Sequence, residues 1–349
     1  MFEKKILIVI GAGASKEAGL PTGYELKDKI SNILDIRFKY GGEQISGDSY
    51  IYNAIQELVQ RKFVDLDINP YLMEAWKIRD AMPQALSIDN YLDAHQGNDK
   101  LELCGKLAIT RSILGAERDS KLYFENSGNK KSIDQNAIKD TWYNAFFQLL
   151  TENCRTTDLQ ERLPSIQLIV FNYDRCIEHF LYHSLQTYYG ITEEQAGQLV
   201  RKIEIYHPYG TVGSLPWYGG EFISEFGEEP SPPRLLDLSS QIRTFTEGTD
   251  PESSNILAIR NGVKNANIVM YLGFAYHRLN LDLIIPDDAN TANEFHHFGT
   301  AKGISHSDCS TITSEISNRF GAMEKFVAIR NDLSCAQLFR EYWRSLSLG

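Results

Sequence analysis

The sequence predicts an α/β protein: a Rossmann-like, doubly wound parallel sheet with a large helical insertion and a helical C-terminal tail. Four short apolar runs have the composition of buried parallel strands, and they lie at residues 6–10, 166–171, 203–206 and 268–272. Each run ends in small or polar residues, and segments with helical spacing separate the runs. Because ligands bind at the carboxyl ends of such strands, we expect the four strand ends to line one crevice.

The first predicted strand leads directly into a loop of small residues, Gly11-Ala12-Gly13-Ala14-Ser15. The missing side chains at Gly11 and Gly13 would let the backbone approach a ligand, and free N–H groups at the next helix start would face an anion such as a pyrophosphate. Lys16 stands where a GxGxxG pattern needs its third glycine, and no P-loop Gly-Lys-Ser/Thr follows. We expect a nucleotide pocket here. The alternative is that the glycines only close a strand–helix turn.

The rest of the chain divides by composition. Residues 16–34 and most of 35–160 show helical spacing of apolar residues, whereas 213–255 are rich in Gly, Pro, Ser and Glu. We expect one domain over residues 1–285, with a helical insertion at about 35–160 and an irregular flap at about 213–255. A polar stretch and a helical C-terminal extension are expected over 286–349.

Composition excludes several classes. The 349 residues are 42% hydrophobic, enough for a large core, and the net charge of -11 argues against direct nucleic-acid binding. The five cysteines form no CxxC pair, which favours a reducing compartment and excludes a four-cysteine zinc site. No apolar run reaches the ~20 residues that span a bilayer, and the first residues lack a signal-peptide core. We expect a cytoplasmic protein with no membrane association.

Polar residues at the strand ends supply candidate chemistry. Asn172 follows the second predicted strand, where an amide can bind a sugar hydroxyl or hold a water. Asp174 could cap the next helix or orient a neighbour. His207 ends the third strand and could accept a proton from a ribose hydroxyl or a water. The alternatives are a turn or cap role for Asn172 and a packed core histidine for His207.

Four blocks occur in a recognisable order: Gly11 to Ser15 with Gly19-Leu20-Pro21-Thr22-Gly23, then Phe171-Asn172-Tyr173-Asp174, then His207-Pro208-Tyr209-Gly210, then Leu272-Gly273-Phe274. This order resembles the sirtuin family (SIR2-like proteins), and most closely its bacterial NADase branch from anti-phage defence. The resemblance spans roughly residues 5–285, although only these short blocks carry it. The first block and Asn-Tyr-Asp are its most specific parts.

The resemblance implies an NAD site. Asn172 would contact the nicotinamide ribose and position water, and Asp174 would support the pocket. The implied NAD-binding residues are Gly11, Ala12, Gly13, Ala14 and Ser15, which would hold the diphosphate, together with Pro21, Thr22, Asn172 and Asp174, and Gly273 and Phe274 at the adenosine end.

The general base departs from the family pattern. The family usually has His-Gly, often as His-x-His-Gly, so the register places Tyr209 at the usual histidine and His207 two residues earlier. We expect His207 to be the base, because a tyrosine with a pKa near 10 is a poor base at pH 7. Tyr209 remains the other candidate.

Among sirtuin-like reactions, the sequence favours NAD hydrolysis. Deacylase sirtuins usually carry a four-cysteine zinc module and Pro-Asp-Phe-Arg after the first loop, whereas this chain has Pro21-Thr22-Gly23-Tyr24 and no such cysteines. The expected activity is metal-free cleavage of NAD to nicotinamide and ADP-ribose by a defence effector. The alternatives are a non-catalytic NAD or ADP-ribose sensor and a zinc-free deacylase.

The resemblance also implies control of this activity. Such an effector must be inactive in a healthy cell, because it would otherwise deplete NAD. We therefore expect a homo-oligomer, a separate regulatory or sensor protein (such as a HerA-type ATPase or an Argonaute-like protein), or both.

Other polar residues allow two interpretations, a functional one and a structural one. His179 and His183 have the spacing of metal ligands but also of an ordinary helix face. A polar region could hold a metal or be a solvated loop; it contains His296, His297, His306, Asp308 and Cys309. Two further groups could cap or pack, or could reach the pocket: Ser87, Asp89 and Asn90, and Tyr276 with His277.

Overall fold

The central element is a six-stranded parallel sheet, seen in a computed structural model that describes residues 4–62, 67–125, 132–248, 256–285 and 296–347. A two-stranded antiparallel pair, β2–β3, lies apart from it. The strands are β1 (Ile6–Ile10), β2 (Arg37–Phe38), β3 (Gln44–Ser46), β4 (Ile166–Val170), β5 (Glu204–Tyr206), β6 (Ile268–Leu272), β7 (His296–Thr300) and β8 (Val327–Arg330).

The strand order of the large sheet is β5-β4-β1-β6-β7-β8, and every neighbouring pair is parallel. The chain therefore starts in the middle, builds outward on one side through β4 and β5, and then crosses to the other side at β6. This is the order of Rossmann-type dinucleotide-binding sheets, in which the crevice forms where the direction reverses. The predicted doubly wound, Rossmann-like parallel sheet is confirmed.

Both faces of the sheet are covered. Along β1, Leu7 and Val9 belong to one buried cluster, whereas Ile6, Ile8 and Ile10 belong to the other. This alternation follows from the two-residue period of a strand. Each fully buried aliphatic side chain contributes about 1.5–3 kcal/mol to folding, so the continuous apolar run of β1 stabilises both layers.

The segment between β1 and β4 is helical, as predicted. Its helices are α1 (Ala12–Ser15), α2 (Gly23–Leu34), α3 (Ser49–Lys62), α4 (Asn69–Ala81), α5 (Ile88–Ala94), α6 (Asp99–Arg118), α7 (Gln135–Ile138), α8 (Trp142–Thr151) and α9 (Leu159–Arg162). The helix predicted over 16–34 is interrupted, because a short 3-10 turn ends at Gly19, where φ is +100°. The α2 helix then begins after Thr22, whose side chain accepts the N–H of Glu25 in a capping box.

The remaining helices follow β4 and cover the other strands. They are α10 (Cys176–Tyr189), α11 (Glu193–Val200), α12 (Pro232–Ser239), α13 (Phe245–Gly248), α14 (Ile256–Asn265), α15 (Arg278–Ile284), α16 (His306–Phe320), α17 (Cys335–Glu341) and α18 (Trp343–Leu346). The region predicted as an irregular flap contains α12 and α13, and its residues 249–255 lie outside the described part of the chain.

The C-terminal region is helical, as predicted, but it also supplies β7 and β8. The sheet thus continues past residue 285, where we expected the domain to end. The sequence of β7, His-His-Phe-Gly-Thr, lacks an apolar β-branched run, yet four of its five residues are buried between β6 and β8. Polar residues in a central strand gave no strand signal. Residues 286–295 and 348–349 of this region lie outside the described residues.

Candidate functional site

At the reversal point of the sheet, the backbone after β1 lies directly against the backbone after β6. The N–H of Gly11 donates to Leu272 O at 2.9 Å, and the N–H of Gly13 donates to Gly273 O at 3.0 Å. A Cβ on Gly11 would lie 2.6 Å from Gly273 O, and one on Gly273 would lie 1.9 Å from Ala14 N. Gly273 also has φ of +54°, a conformation that favours glycine. These three glycines therefore let two loops pack backbone to backbone.

This packing differs from the expectation that the missing side chains of Gly11 and Gly13 let the backbone approach a ligand, because the backbone after β6 occupies that space. The N–H groups of both glycines are bonded within the protein. The amide of Ala12, the first residue of α1, makes no hydrogen bond within the described structure and is the loop donor that remains available. The sequence could not distinguish a loop shaped for a ligand from one shaped for a neighbouring strand end.

The first loop and the end of β4 are joined by a chain of side-chain hydrogen bonds. Asn172 Nδ2 donates to Ser15 Oγ at 2.9 Å, and Ser15 Oγ donates to Asp174 Oδ2, also at 2.9 Å. All three residues are at least nine-tenths buried. Asn172 Oδ1 has no partner among the described residues, so it is free to accept a hydrogen bond. The structure thus brings together three residues that the sequence singled out.

Asp174 is a buried carboxyl group with a structural task. Its Oδ1 accepts the N–H of Cys176, the first residue of α10, at 3.1 Å, although the N-cap position itself is held by Arg175 and not by Asp174 as the sequence suggested. Burial raises the pKa of Asp174, and the hydrogen bonds from Cys176 and Ser15 partly oppose that rise. Asp174 thus bonds both the first N–H of α10 and Ser15.

A buried ion pair that the sequence analysis missed lies directly behind this turn. Arg175 is 2% exposed and Glu117, from α6, is fully buried; their side chains meet at 2.5 Å. The same guanidinium donates to the carbonyl oxygens of Ser224 and Glu225, while Glu117 accepts the N–H of Gly227. The segment predicted as a flap is therefore tied to the turn that carries Asn172 and Asp174.

His207 lies at the end of β5 with both ring nitrogens engaged. Nε2 is 2.6 Å from Glu178 Oε1, and Nδ1 is 3.2 Å from the main-chain oxygen of Asn172. Both partners are acceptors, so this geometry suits the imidazolium form, in which both nitrogens donate. Glu178, on α10, was not identified from the sequence because its contact spans 29 residues. Its second oxygen is buried and lacks a partner within the described residues.

The pKa of His207 reflects two opposing effects. Burial lowers it, but the negative charge of Glu178 and the hydrogen bonds that the ring donates to Glu178 and to Asn172 O together raise it above the ordinary value. The cation is therefore favoured, and Nδ1 can accept a proton only after it has lost the one that it donates to Asn172 O.

Tyr209, the other candidate for the general base, is engaged in the protein interior. Its side chain is buried, packs against Phe171 with ring centroids 5.7 Å apart, and donates to Asn280 Oδ1. Burial raises the pKa of its hydroxyl further above the ordinary value. Tyr209 is thus a packed, hydrogen-bonded core residue in this conformation.

Asp89 reaches the same region from α5. Tyr173, between Asn172 and Asp174, donates its hydroxyl to Asp89, and burial raises the pKa of this carboxyl group. The charge of His277 acts in the opposite direction, which places His277 nearby. Ser87 caps α5 by accepting the N–H of Asn90, which confirms the predicted cap.

The remaining predicted NAD-binding residues have structural roles in the described conformation. Phe274 is 3% exposed and packs against Phe171, with centroids 5.2 Å apart. Tyr276 is buried and donates to Thr300 O. Pro21 is buried, and the side chain of Thr22 is used in the capping box. A ligand at this crevice would meet these residues mainly through their backbone.

No group of three or more His, Cys, Asp or Glu arranged to hold a metal ion occurs within the described residues. His179 Nε2 donates to Leu122 O and its ring stacks on Phe226, and burial lowers the pKa of both His179 and His183. His296 and His297 lie in β7, and His306 begins α16 with Asp308 and Cys309 following. No helix in the described ranges is long and apolar enough to cross a membrane.

The chain matches none of the protein-family models and none of the curated proteins with which it was compared.

Proposed function

We propose that the protein is a sirtuin-like NAD glycohydrolase, which cleaves NAD to nicotinamide and ADP-ribose. The observation that carries the proposal is Ser15, which is hydrogen-bonded to both Asn172 and Asp174. This residue links the two most specific sequence blocks of the resemblance. It does so at the carboxyl ends of neighbouring strands, where Rossmann-like sheets bind nucleotides.

Asn172 is the residue assigned to the reacting sugar. Its Nδ2 is fixed by Ser15, so the unpaired Oδ1 has a defined direction and can accept a hydrogen bond from a ribose hydroxyl or from the attacking water. Nicotinamide leaves as a neutral base, and the transition state resembles an oxocarbenium ion. The protein then needs to orient the ribose and place one water, without a metal.

Neutral His207 is the proposed proton acceptor. In this form Nε2–H donates to Glu178, its positioning residue, and Nδ1, having released its proton to water, accepts one from the ribose hydroxyl or the attacking water. The contact of Nε2 with Glu178 is short at 2.6 Å, whereas the contact of Nδ1 with Asn172 O is longer at 3.2 Å. The weaker contact is the one a substrate hydroxyl would replace. A carboxylate that holds one imidazole nitrogen while the other faces the reaction is a recurring catalytic arrangement.

The test is the release of nicotinamide from NAD without any acylated peptide, measured by chromatography. His207→Ala should lower the rate strongly, and Tyr209→Phe should leave it unchanged. Nicotinamide release that depends on an acylated peptide would favour a deacylase instead. If only Tyr209→Phe abolished nicotinamide release, the assignment of His207 as the base would be wrong.

A second candidate is a non-catalytic NAD or ADP-ribose sensor. Two observations favour it: both nitrogens of His207 are engaged, and the amides of Gly11 and Gly13 are bonded within the protein. Stoichiometric NAD binding without turnover, in the presence and absence of partner proteins, would support the sensor and refute the hydrolase.

We further propose that the hydrolase is a cytoplasmic defence effector, kept silent until self-assembly or a separate regulatory protein activates it. The family resemblance supports this part. The doubly engaged ring of His207 fits a resting state, because activation would require Nδ1 to leave Asn172 O and to release its proton. A rate of NAD loss that rises with protein concentration or with an added partner would support such control.

A further inference from the structure

A cavity of about 470 Å³ lies between α10 and the segment 215–228, away from the strand-end crevice. Its walls are mainly rings: Phe124, Tyr182, Trp217, Phe226, His179 and His183. Tyr182 and Trp217 are stacked with centroids 4.5 Å apart and planes 3° apart, and His179 stacks on Phe226 at 4.0 Å. Cavities of this size and lining are typical of sites for small planar ligands.

Two polar groups of this lining lack a protein partner. His183 is partly exposed, and its imidazole makes no hydrogen bond with any described residue. Burial lowers its pKa to about 4, so at neutral pH the ring is uncharged, with one nitrogen that donates and one that accepts. Trp217 Nε1 is buried and has no hydrogen-bond partner among the described residues. An unpartnered buried N–H is unfavourable, so an acceptor from a ligand would stabilise it.

The charged residues around the cavity are mostly acidic. Glu193, Glu225 and Glu228 line it, against one guanidinium, that of Arg118. Arg118 already pairs with Glu229 and donates to Gly227 O, and Glu228 pairs with Arg234. Glu193 and Glu225 form no ion pair within the described structure. The rim therefore repels anions and can accept N–H groups.

We propose that this cavity binds a planar, uncharged nitrogen heterocycle that carries an exocyclic amino or carboxamide group, such as a nucleobase or a pyridine carboxamide. The ring would stack within the aromatic walls. A ring nitrogen or carbonyl oxygen would accept from Trp217 or His183, and the exocyclic N–H groups would donate to the acidic rim. The metal site suggested by the spacing of His179 and His183 is not needed, since His179 is already bonded to Leu122 O.

Matched probes separate this chemistry from non-specific stacking. Nicotinamide is compared with nicotinate, and adenosine with AMP, by isothermal titration on the full chain. Each pair shares its ring and differs by a negative charge. We expect saturable binding of the neutral member of at least one pair and at least tenfold weaker binding of its anion. The pair that binds identifies the source of the ligand. No binding of either neutral probe up to 10 mM (roughly the weak limit of a specific site), or equal binding of the anions, would overturn the proposal.

Variants locate the binding. His183→Phe keeps a ring but removes both polar atoms, and Trp217→Phe removes the indole N–H; each should weaken binding about five- to tenfold, the effect of one lost hydrogen bond. Trp343→Phe, remote from this cavity, is the matched control and should have no effect. Asn172→Ala should also leave this binding unchanged. Loss of binding with Asn172→Ala but not with His183→Phe would assign the probe to the strand-end crevice and refute the proposal.

If His183→Phe or Trp217→Phe disturbs folding, a variant of an exposed residue provides an independent test. Glu193→Gln removes one rim charge at the exposed start of α11. It should reduce the difference in binding affinity between adenosine and AMP, or between nicotinamide and nicotinate. An unchanged difference would contradict the role of the acidic rim.

Discussion

The buried pair of Glu117 and Arg175 offers a quantitative test of how the site is held. Glu117 Oε1 accepts the main-chain N–H of Arg175 at 3.0 Å and its Nε at 3.1 Å, and Oε2 accepts Nη2 at 2.5 Å and Gly227 N–H at 3.0 Å. Glu117→Gln keeps the shape of the side chain. However, in the orientation that keeps Oε1, its amide nitrogen would face two N–H donors, and the guanidinium would lose its countercharge.

Removing one partner of a buried ion pair costs about 3–5 kcal/mol, a large part of the roughly 5–15 kcal/mol that stabilises a typical domain. We expect a loss of that size in the free energy of unfolding, measured by urea denaturation followed by tryptophan fluorescence. Glu57→Gln, which breaks the exposed pair with Arg61, is the control and should cost less than about 1 kcal/mol.

The double variant Glu117→Leu with Arg175→Met removes both charges. It should be more stable than Glu117→Gln alone, because no unpaired charge is left buried. A Glu117→Gln protein within 1 kcal/mol (about the limit of a surface pair) of the unmodified chain, or a double variant less stable than the single one, would refute this reasoning.

Three further predictions concern the crevice. Asn172→Ala should reduce NAD cleavage roughly 100-fold or more, while the loss of its buried hydrogen bond to Ser15 should cost only about 1 kcal/mol of stability, as measured by chromatography and calorimetry; retained turnover would remove Asn172 from the mechanism. The folded-state pKa of His207 is raised, so its stabilising effect is present below its unfolded value near 6.5 and is lost as pH rises through the folded value. The loss of unfolding free energy caused by Glu178→Gln should accordingly be larger at pH 6 than at pH 9. An equal loss at both pH values would contradict the ion pair of His207 with Glu178. Gly273→Ala should be more destabilising than Gly219→Ala in urea, because both have positive φ but only the first meets neighbouring backbone; equal losses would contradict the close packing of the two loops.

Much of the fold could be predicted because its strongest signals are local. The runs of β1 and β6 are apolar at every position and that of β4 at every position but Gln167, since these strands are buried on both faces. The β7 strand was not predicted, because His297, Gly299 and Thr300 are not apolar β-branched residues. They are buried because neighbouring elements surround them. His297 is fully buried next to Tyr271, whose hydroxyl lies 3.2 Å from its Nδ1.

The candidate site was predictable in its residues but not in its connections. Ser15, Asn172 and Asp174 were singled out by their positions after strands, and they form one hydrogen-bonded chain. Glu178 and Glu117 were missed, because an ordinary helical glutamate acquires its role only from a residue distant in the sequence, His207 or Arg175.

The sequence correctly predicted that Gly11 and Gly13 must lack side chains because another group lies close to them. That group is the backbone after β6, whereas we expected a ligand. A single sequence shows that space is required but not which neighbour occupies it.

The most direct test of the central claim is a time course of NAD at pH 7.5 with the purified protein and with its Asn172→Ala variant. It is carried out for each protein alone and together with proteins encoded beside it. NAD binding is measured on the same samples. The account predicts that nicotinamide and ADP-ribose appear in equal amounts with the unmodified chain and not with the variant. Bound NAD that stays intact under every condition, or equal turnover by the two proteins, would contradict it.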